Sequence, residues 1–184
     1  SYAESESLES AIHSLCEKAV KLVKEGCVVL KLSDRDIKKG FLSIHAALAT
    51  GAVHSRLIDE GLRCDTNIIV ETGTARDPHH FAVLIGVGAT AIYPYLAIQI
   101  INNLHLESKL NFDLITARKN YFVGINKGLL KIMSKMGIST IASYRGAQLF
   151  EAVGLDDKIV ELCFPGMASR ISGANFEDLQ ADSL

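Results

Sequence analysis

The stretch from Ile69 to Ala82 reads IVETGTARDPHHFA and places a carboxylate, Glu71, a guanidinium, Arg76, and two adjacent imidazoles, His79 and His80, within ten positions. These groups could do acid–base work, ligate a metal or bind a substrate carboxylate. Neighbouring helical residues point about 100° apart, so His79 and His80 are poorly placed to grip one metal; an i, i+4 pair such as HExxH would be needed, and none is present. One ring is better used at a helix N-terminus, bonding the preceding loop, while the other faces a ligand or partner. Glu71 and Arg76 have two readings: an ion pair that shapes the loop, or a counter-charged pair that holds a substrate. An autonomous enzyme or metal-binding module built on Glu71, His79 and His80 stands as the alternative to a polar seam inside a larger enzyme.

Two further polar pairs, Asp34-Arg35 and Tyr144-Arg145, follow apolar runs in the same way. Other motifs carry less chemistry. Gly86-Val87-Gly88 closes a helical pattern rather than opening one, so it is not a GxGxxG phosphate cradle. Gly124 and Gly128 fall inside a helical pattern, where close helix packing is the natural compensation for their cost. Lys127, Lys131 and Lys135 form one basic stripe at i, i+4, i+8, a solvated face or a contact for an acidic neighbour. Cys16, Cys27, Cys64 and Cys163 are dispersed, without a CxxC pair, and read as reduced core residues of a cytoplasmic protein.

The elements that must position these groups alternate. Apolar residues at helical spacing predict a helix over 6–25, ended by Gly26, and a strand over 27–32. A helix over 43–60, ended by Gly61, leads to a strand over 66–71, whose near-continuous apolar run suits a parallel strand covered on both faces. Asp77-Pro78 can cap and open the next helix. A short strand over 90–92, a helix from Pro94 through Ile101 and a long helix over 113–136 follow. Then come a fourth strand over 138–142, helices near 146–153 and 156–163, and an amphipathic run from Asn175.

Strand and helix in alternation imply an α/β fold with parallel strands and crossover helices, partly barrel-like, whose ligand edge lies after the strands. The 184 residues suffice for a single domain: a leading helix to about 25, a β/α core over about 27–165 and a C-terminal segment over about 166–184. The net charge of −2 recommends neither nucleic acid nor an anionic membrane as partner. No apolar run is long enough to span a bilayer. The termini look cut from something longer.

Two long stretches carry more than their chemistry: VETGTARDPHHFAVLIGVGATAIYPYLA over residues 70–97 and NKGLLKIMSKMGISTIASYRGAQLFEAVGL over 126–155. With Leu32-Ser33-Asp34-Arg35, Ala52-Val53-His54 and Ala168-Ser169-Arg170-Ile171-Ser172-Gly173, they resemble, in the same order, the large subunit of the glutamate synthase family. The matching region there is the latter part of the central domain, between the glutaminase domain and the FMN-binding synthase domain. The resemblance implies a parent enzyme with FMN and an iron–sulfur cluster that passes ammonia from glutamine to 2-oxoglutarate. Its electrons would come from ferredoxin or from NAD(P)H through a partner subunit. It implies no catalytic, cofactor or metal residue within these 184 positions. Asp34, Arg35, Glu71, Arg76, His79, His80, Tyr144 and Arg145 are then expected to order strand-end loops and face a neighbouring domain.

Overall fold

The computed structural model describes residues 1–184. A two-residue strand, β1 (Tyr2–Ala3), precedes helix α1 (Leu8–Lys24), whose start is fixed by Ser7 accepting the Ser10 amide at 3.2 Å. Leu8, Ala11, Ile12, Cys16, Ala19, Val20 and Val23 recur along one face of α1 and are buried. This stripe, not helix propensity, holds the helix in place. Gly26, at φ +94°, makes the exit turn that an L side chain would resist.

Strand β2 (Val29–Ser33) follows, then the short β3 (Phe41–Leu42), which pairs antiparallel with β1. Helix α2 (Ala46–Asp59) and one 3₁₀ turn (Arg63–Asp65) lead to β4 (Asn67–Glu71); α3 (Pro78–Gly86) leads to β5 (Ala91–Tyr93). The order β2-β4-β5 is parallel throughout, so α2 and α3 are the crossovers. Ser33 lies opposite Glu71, and Glu71 opposite Tyr93.

The period-2 alternation of side chains gives this sheet two unlike faces. Leu30, Ile68 and Val70 point into a core of 25 buried residues shared with α1, α2 and α3. Val29, Lys31, Ser33, Asn67, Ala91 and Tyr93, on the other face, are exposed. Coverage of both faces, expected from the apolar run of β4, is therefore not realised within this chain.

Helices α4 (Tyr95–Leu106) and α5 (Leu114–Lys135) come next; α5 packs against α3 and α4. The predicted fourth strand over 138–142 is absent. Thr140 instead caps a four-residue helix, α6 (Ile141–Tyr144), by accepting the Ser143 amide. The helix expected near 146–153 is corrected to strand β6 (Glu151–Leu155). Helix α7 (Asp157–Cys163) agrees with expectation, and β7 (Ala168–Ala174) pairs parallel with β6 through two register shifts before α8 (Phe176–Ala181) ends the fold. The α/β class and the parallel strands stand as read.

Candidate functional site: the polar edge after the parallel strands

The C-terminal ends of β2, β4 and β5 bring Asp34, Arg35, Glu71, Thr72 and Tyr95 together. The Asp34 amide donates to the Glu71 carbonyl at 3.2 Å and the Thr72 amide to the Tyr93 carbonyl at 3.0 Å, extending the ladder one residue past each strand. Beyond this, two carboxylates organise the edge.

Glu71 is 8% exposed. Its carboxylate accepts the Ser33 hydroxyl at 2.6 Å and the Lys31 ammonium at 3.1 Å, while Arg35 stands 3.5 Å from its other oxygen. The Ser33 and Lys31 hydrogen bonds, with the positive charges of Lys31 and Arg35, hold Glu71 below the ordinary carboxylate value. The expected Glu71–Arg76 pair does not form. Lys31 and Arg35 take that place because cross-strand register, not nearness along the loop, decides what faces Glu71.

Asp34 spans to the next loop. It accepts the Thr72 hydroxyl and the Gly73 amide, the latter at 3.0 Å; Thr72 in turn accepts the Thr74 amide at 3.1 Å. Tyr95 is tucked here too. A side chain at Gly73 would come within 3.0 Å of its hydroxyl, and the Arg35 guanidinium lies 5.5 Å from its ring centroid, within cation–π range. Burial, then the charge of Asp34, raises the Tyr95 phenol above its usual value. A cavity of about 370 Å³ opens beside these groups, with Lys18, Lys31, Ser33, Asp34 and Glu71 in its wall.

Asp77 caps α3 as expected, accepting the His79 amide at 2.9 Å and the His80 amide at 3.2 Å. Those bonds depress its carboxyl. His80 uses one ring nitrogen to accept the Arg76 amide at 3.3 Å, the loop-bonding role anticipated for one imidazole. His79 and the Arg76 side chain are exposed, and the Arg76 carbonyl accepts the Tyr121 hydroxyl at 3.2 Å. No group of three or more His, Cys, Asp or Glu side chains converges as metal ligands would.

Tyr144 and Arg145 do not belong to this edge. Tyr144 is 1% exposed and packs with Ala82, Ile85 and Met133, its ring edge-on to Phe150 at 6.4 Å. The Gly146 amide donates to the Gly86 carbonyl at the far end of α3. With no strand over 138–142, the residues after it cannot reach the C-terminal edge; they lie at the opposite one. The groups that complete the edge instead, Lys31, Ser33, Thr72 and Tyr95, became recognisable only through the β2–β4 register and the Asp34 bridge, although Thr72 sits in the quoted stretch.

The glycines sort differently from one another. A side chain at Gly128 would lie 2.3 Å from Pro78, a true close packing of α5 on α3, whereas Gly124 faces open space. Lys127, Lys131 and Lys135 are exposed along α5. Of the four free thiols, Cys16 and Cys163 are buried, with burial pushing them to about 11 and about 12, but Cys64 is exposed and Cys27 only half-buried. No helix is long and apolar enough to cross a membrane.

Comparison with known proteins places this geometry. Residues 1–156 match the model of the glutamate synthase central domain. The chain is 42% identical over 177 residues to the NADH glutamate synthase of Schizosaccharomyces pombe, covering 95% of this chain and 8% of that protein. It is 42% identical over 190 residues to ferredoxin-dependent glutamate synthase 1, chloroplastic/mitochondrial, of Arabidopsis thaliana, covering 97% and 12%. Identity to the NADPH glutamate synthase large chain of Bacillus subtilis is 41% over 179 residues, again 97% and 12%. The chain thus spans about a tenth of the length of the relatives it matches.

Proposed function

This chain belongs to the glutamate synthase central-domain family, and we propose that within a glutamate synthase large chain it is a scaffold. It would link the glutaminase and FMN-binding synthase domains and support the internal passage of ammonia between them. The observation that carries this reading is the open face of the β2-β4-β5 sheet, where Val29 and Tyr93 are 45% and 43% exposed. Parallel sheets occur almost only with both faces covered, and nine-tenths of the relatives' length lies outside this chain. The occupant we assign to that face is the neighbouring synthase region, with Asp34, Arg35, Glu71, Arg76, His79 and His80 along its border.

The polar edge suits a structural role better than a reacting one. Asp34 and Glu71 already spend their oxygens on Thr72, Gly73, Ser33, Lys31 and Arg35, which fixes the loops that a neighbouring domain would read. FMN and an iron–sulfur cluster are expected of the parent enzyme, and the residues here fit neither. The four cysteines do not converge, and Gly86 and Gly88 close helix α3 rather than open one, so they form no phosphate cradle. Both groups are assigned to the synthase domain. Electrons would come from ferredoxin or from NAD(P)H through a partner subunit, as the relatives' names vary between ferredoxin, NADH and NADPH.

Two measurements test the reading. Titrating the chain with FMN and following flavin fluorescence should give no saturable quenching; tight one-to-one binding overturns the assignment. In the complete enzyme, Arg76→Ala should lower the glutamate formed per glutamine hydrolysed, with ammonia escaping to solvent. An unchanged ratio with unchanged stability removes Arg76 from the border.

A further inference from the structure

At the edge of the sheet opposite the polar loops, three nitrogen-rich side chains meet without an acid among them. Arg63, in the 3₁₀ turn before β4, donates from Nε to His54 Nδ1 at 2.8 Å, from Nη1 to the Thr66 carbonyl at 2.7 Å and from Nη2 to the Gly88 carbonyl at 2.9 Å. A guanidinium can only donate. His54 Nδ1 is therefore the acceptor, and in the neutral ring Nε2 carries the proton. That Nε2–H points toward Gly146, whose Cβ position lies 3.5 Å away, and the ring rests on Gly88, where any side chain would collide at 2.3 Å. Arg145 precedes Gly146. Its Nε is buried and has no hydrogen-bond partner.

Arg63 is thus satisfied, whereas the His54 Nε2–H and the Arg145 Nε–H have no acceptor. A buried N–H donor left without an acceptor is costly until one arrives. The surroundings do not supply one: both arginines press on His54, and burial together with them holds its pKa at about 4. A cavity of about 240 Å³ adjoins the cluster, walled by His54, Gly146, Ser55 and Gln148, with Asp59 exposed at its rim as its only acid.

We propose that His54, Arg63 and Arg145 form a binding site for an anionic oxygen group, with His54 Nε2–H and the Arg145 guanidinium as direct donors and Arg63 as the residue that fixes the imidazole tautomer. The group comes either from a free small oxyanion or from an acidic side chain of another domain of the parent chain.

The test is a titration of this chain with inorganic phosphate against chloride at matched ionic strength, following the His54 ring signals by NMR. The His54 signals are identified by their loss in His54→Gln. Phosphate should shift them saturably and chloride should not. Arg145→Gln, on a half-buried loop position, should keep the fold and weaken phosphate by about tenfold or more, the loss of one charge-assisted bond. Equal responses to phosphate and chloride overturn the site, as does an Arg145→Gln protein that binds as well as the parent. The same titration on the complete large chain distinguishes the sources. Phosphate binding there means a free oxyanion, whereas binding to this chain alone means that an acidic side chain already occupies the site.

Discussion

Ser33 and Glu71 face each other across the parallel β2–β4 pair, hydroxyl to carboxylate at 2.6 Å, with the Lys31 ammonium 3.1 Å from the same oxygen. Glu71 is thus the knot between the first two parallel strands and the loop that follows each. Glu71→Ala would leave Lys31 and the exposed Ser33 hydroxyl to solvent and remove the charge-assisted bonds that tie both to β4. The expected loss is about 1–3 kcal/mol in urea denaturation, and Glu71→Gln, which can still accept from Ser33, should lose clearly less. Equal losses in the two variants would mean that charge, not the Ser33 bond, holds the pair.

Asp34 acts in the same way just beyond β2, tying Thr72 and the Gly73 amide to the end of that strand. Asp34→Ala should raise the hydrogen-exchange rate of the Gly73 and Thr74 amides by about tenfold, corresponding to the loss of a bond worth about 1.4 kcal/mol. The amides of Ile68 and Val70, deeper in β4, should change far less. Uniform loss of protection across the sheet would show instead that Asp34 supports the whole fold.

How far these contacts could be read beforehand varies along the chain. The β2-β4-β5 unit was legible because its signals are local: a helical stripe in α1, the glycine stop at Gly26, the Asp77-Pro78 start of α3. The region after Gly137 was not. Ile138 to Ala142 is β-branched and apolar enough for a strand, but Thr140 bonds its own chain and starts a helix. Phe150 to Val153 has helical composition, yet β6 is held by its partner β7, where Gly173 lets the backbone of Gly154 approach; a side chain there would meet the Gly154 carbonyl at 2.5 Å. The site divides in the same way. Residues of one loop were found together, whereas Lys31, Ser33 and Tyr95 needed register, and Tyr144 and Arg145 moved to the opposite edge with the strand that did not form.

His54 makes the stability depend on pH in a defined window. Its folded pKa of about 4 lies below the ordinary 6.5 because burial and two arginines oppose its charge. Between these values the unfolded chain binds a proton that the folded chain refuses. This contribution is therefore complete above 6.5 and lost as pH falls toward 4. From pH 7 to pH 5, in phosphate-free buffer, stability should drop by about 1–2 kcal/mol, discounting for partial exposure. His54→Gln should reduce that slope to the part contributed by His45, which burial also holds below 6.5. Glu71 and Asp77, both depressed, add their own losses only below their ordinary values of 4.5 and 3.8. A slope unchanged in His54→Gln would assign the titration to another group.

Gly124 and Gly128 sit one turn apart on α5 and should respond oppositely to the same substitution. Alanine at Gly124 meets open space in a helical backbone, so it gains helix propensity and restricts the unfolded chain, raising stability by about 0.5–1 kcal/mol. Alanine at Gly128 would put a methyl 2.3 Å from Pro78 Cγ and 2.5 Å from its Cβ. Pro78 is the first residue of α3 and its ring cannot swing aside, so α5 must shift from α3, at a cost of about 1–3 kcal/mol. Thermal melts of the two single variants read the difference directly. A stabilised Gly128→Ala protein would mean that the α3–α5 contact is looser than the structure places it, and the polar edge that α3 begins would lose its rigid support.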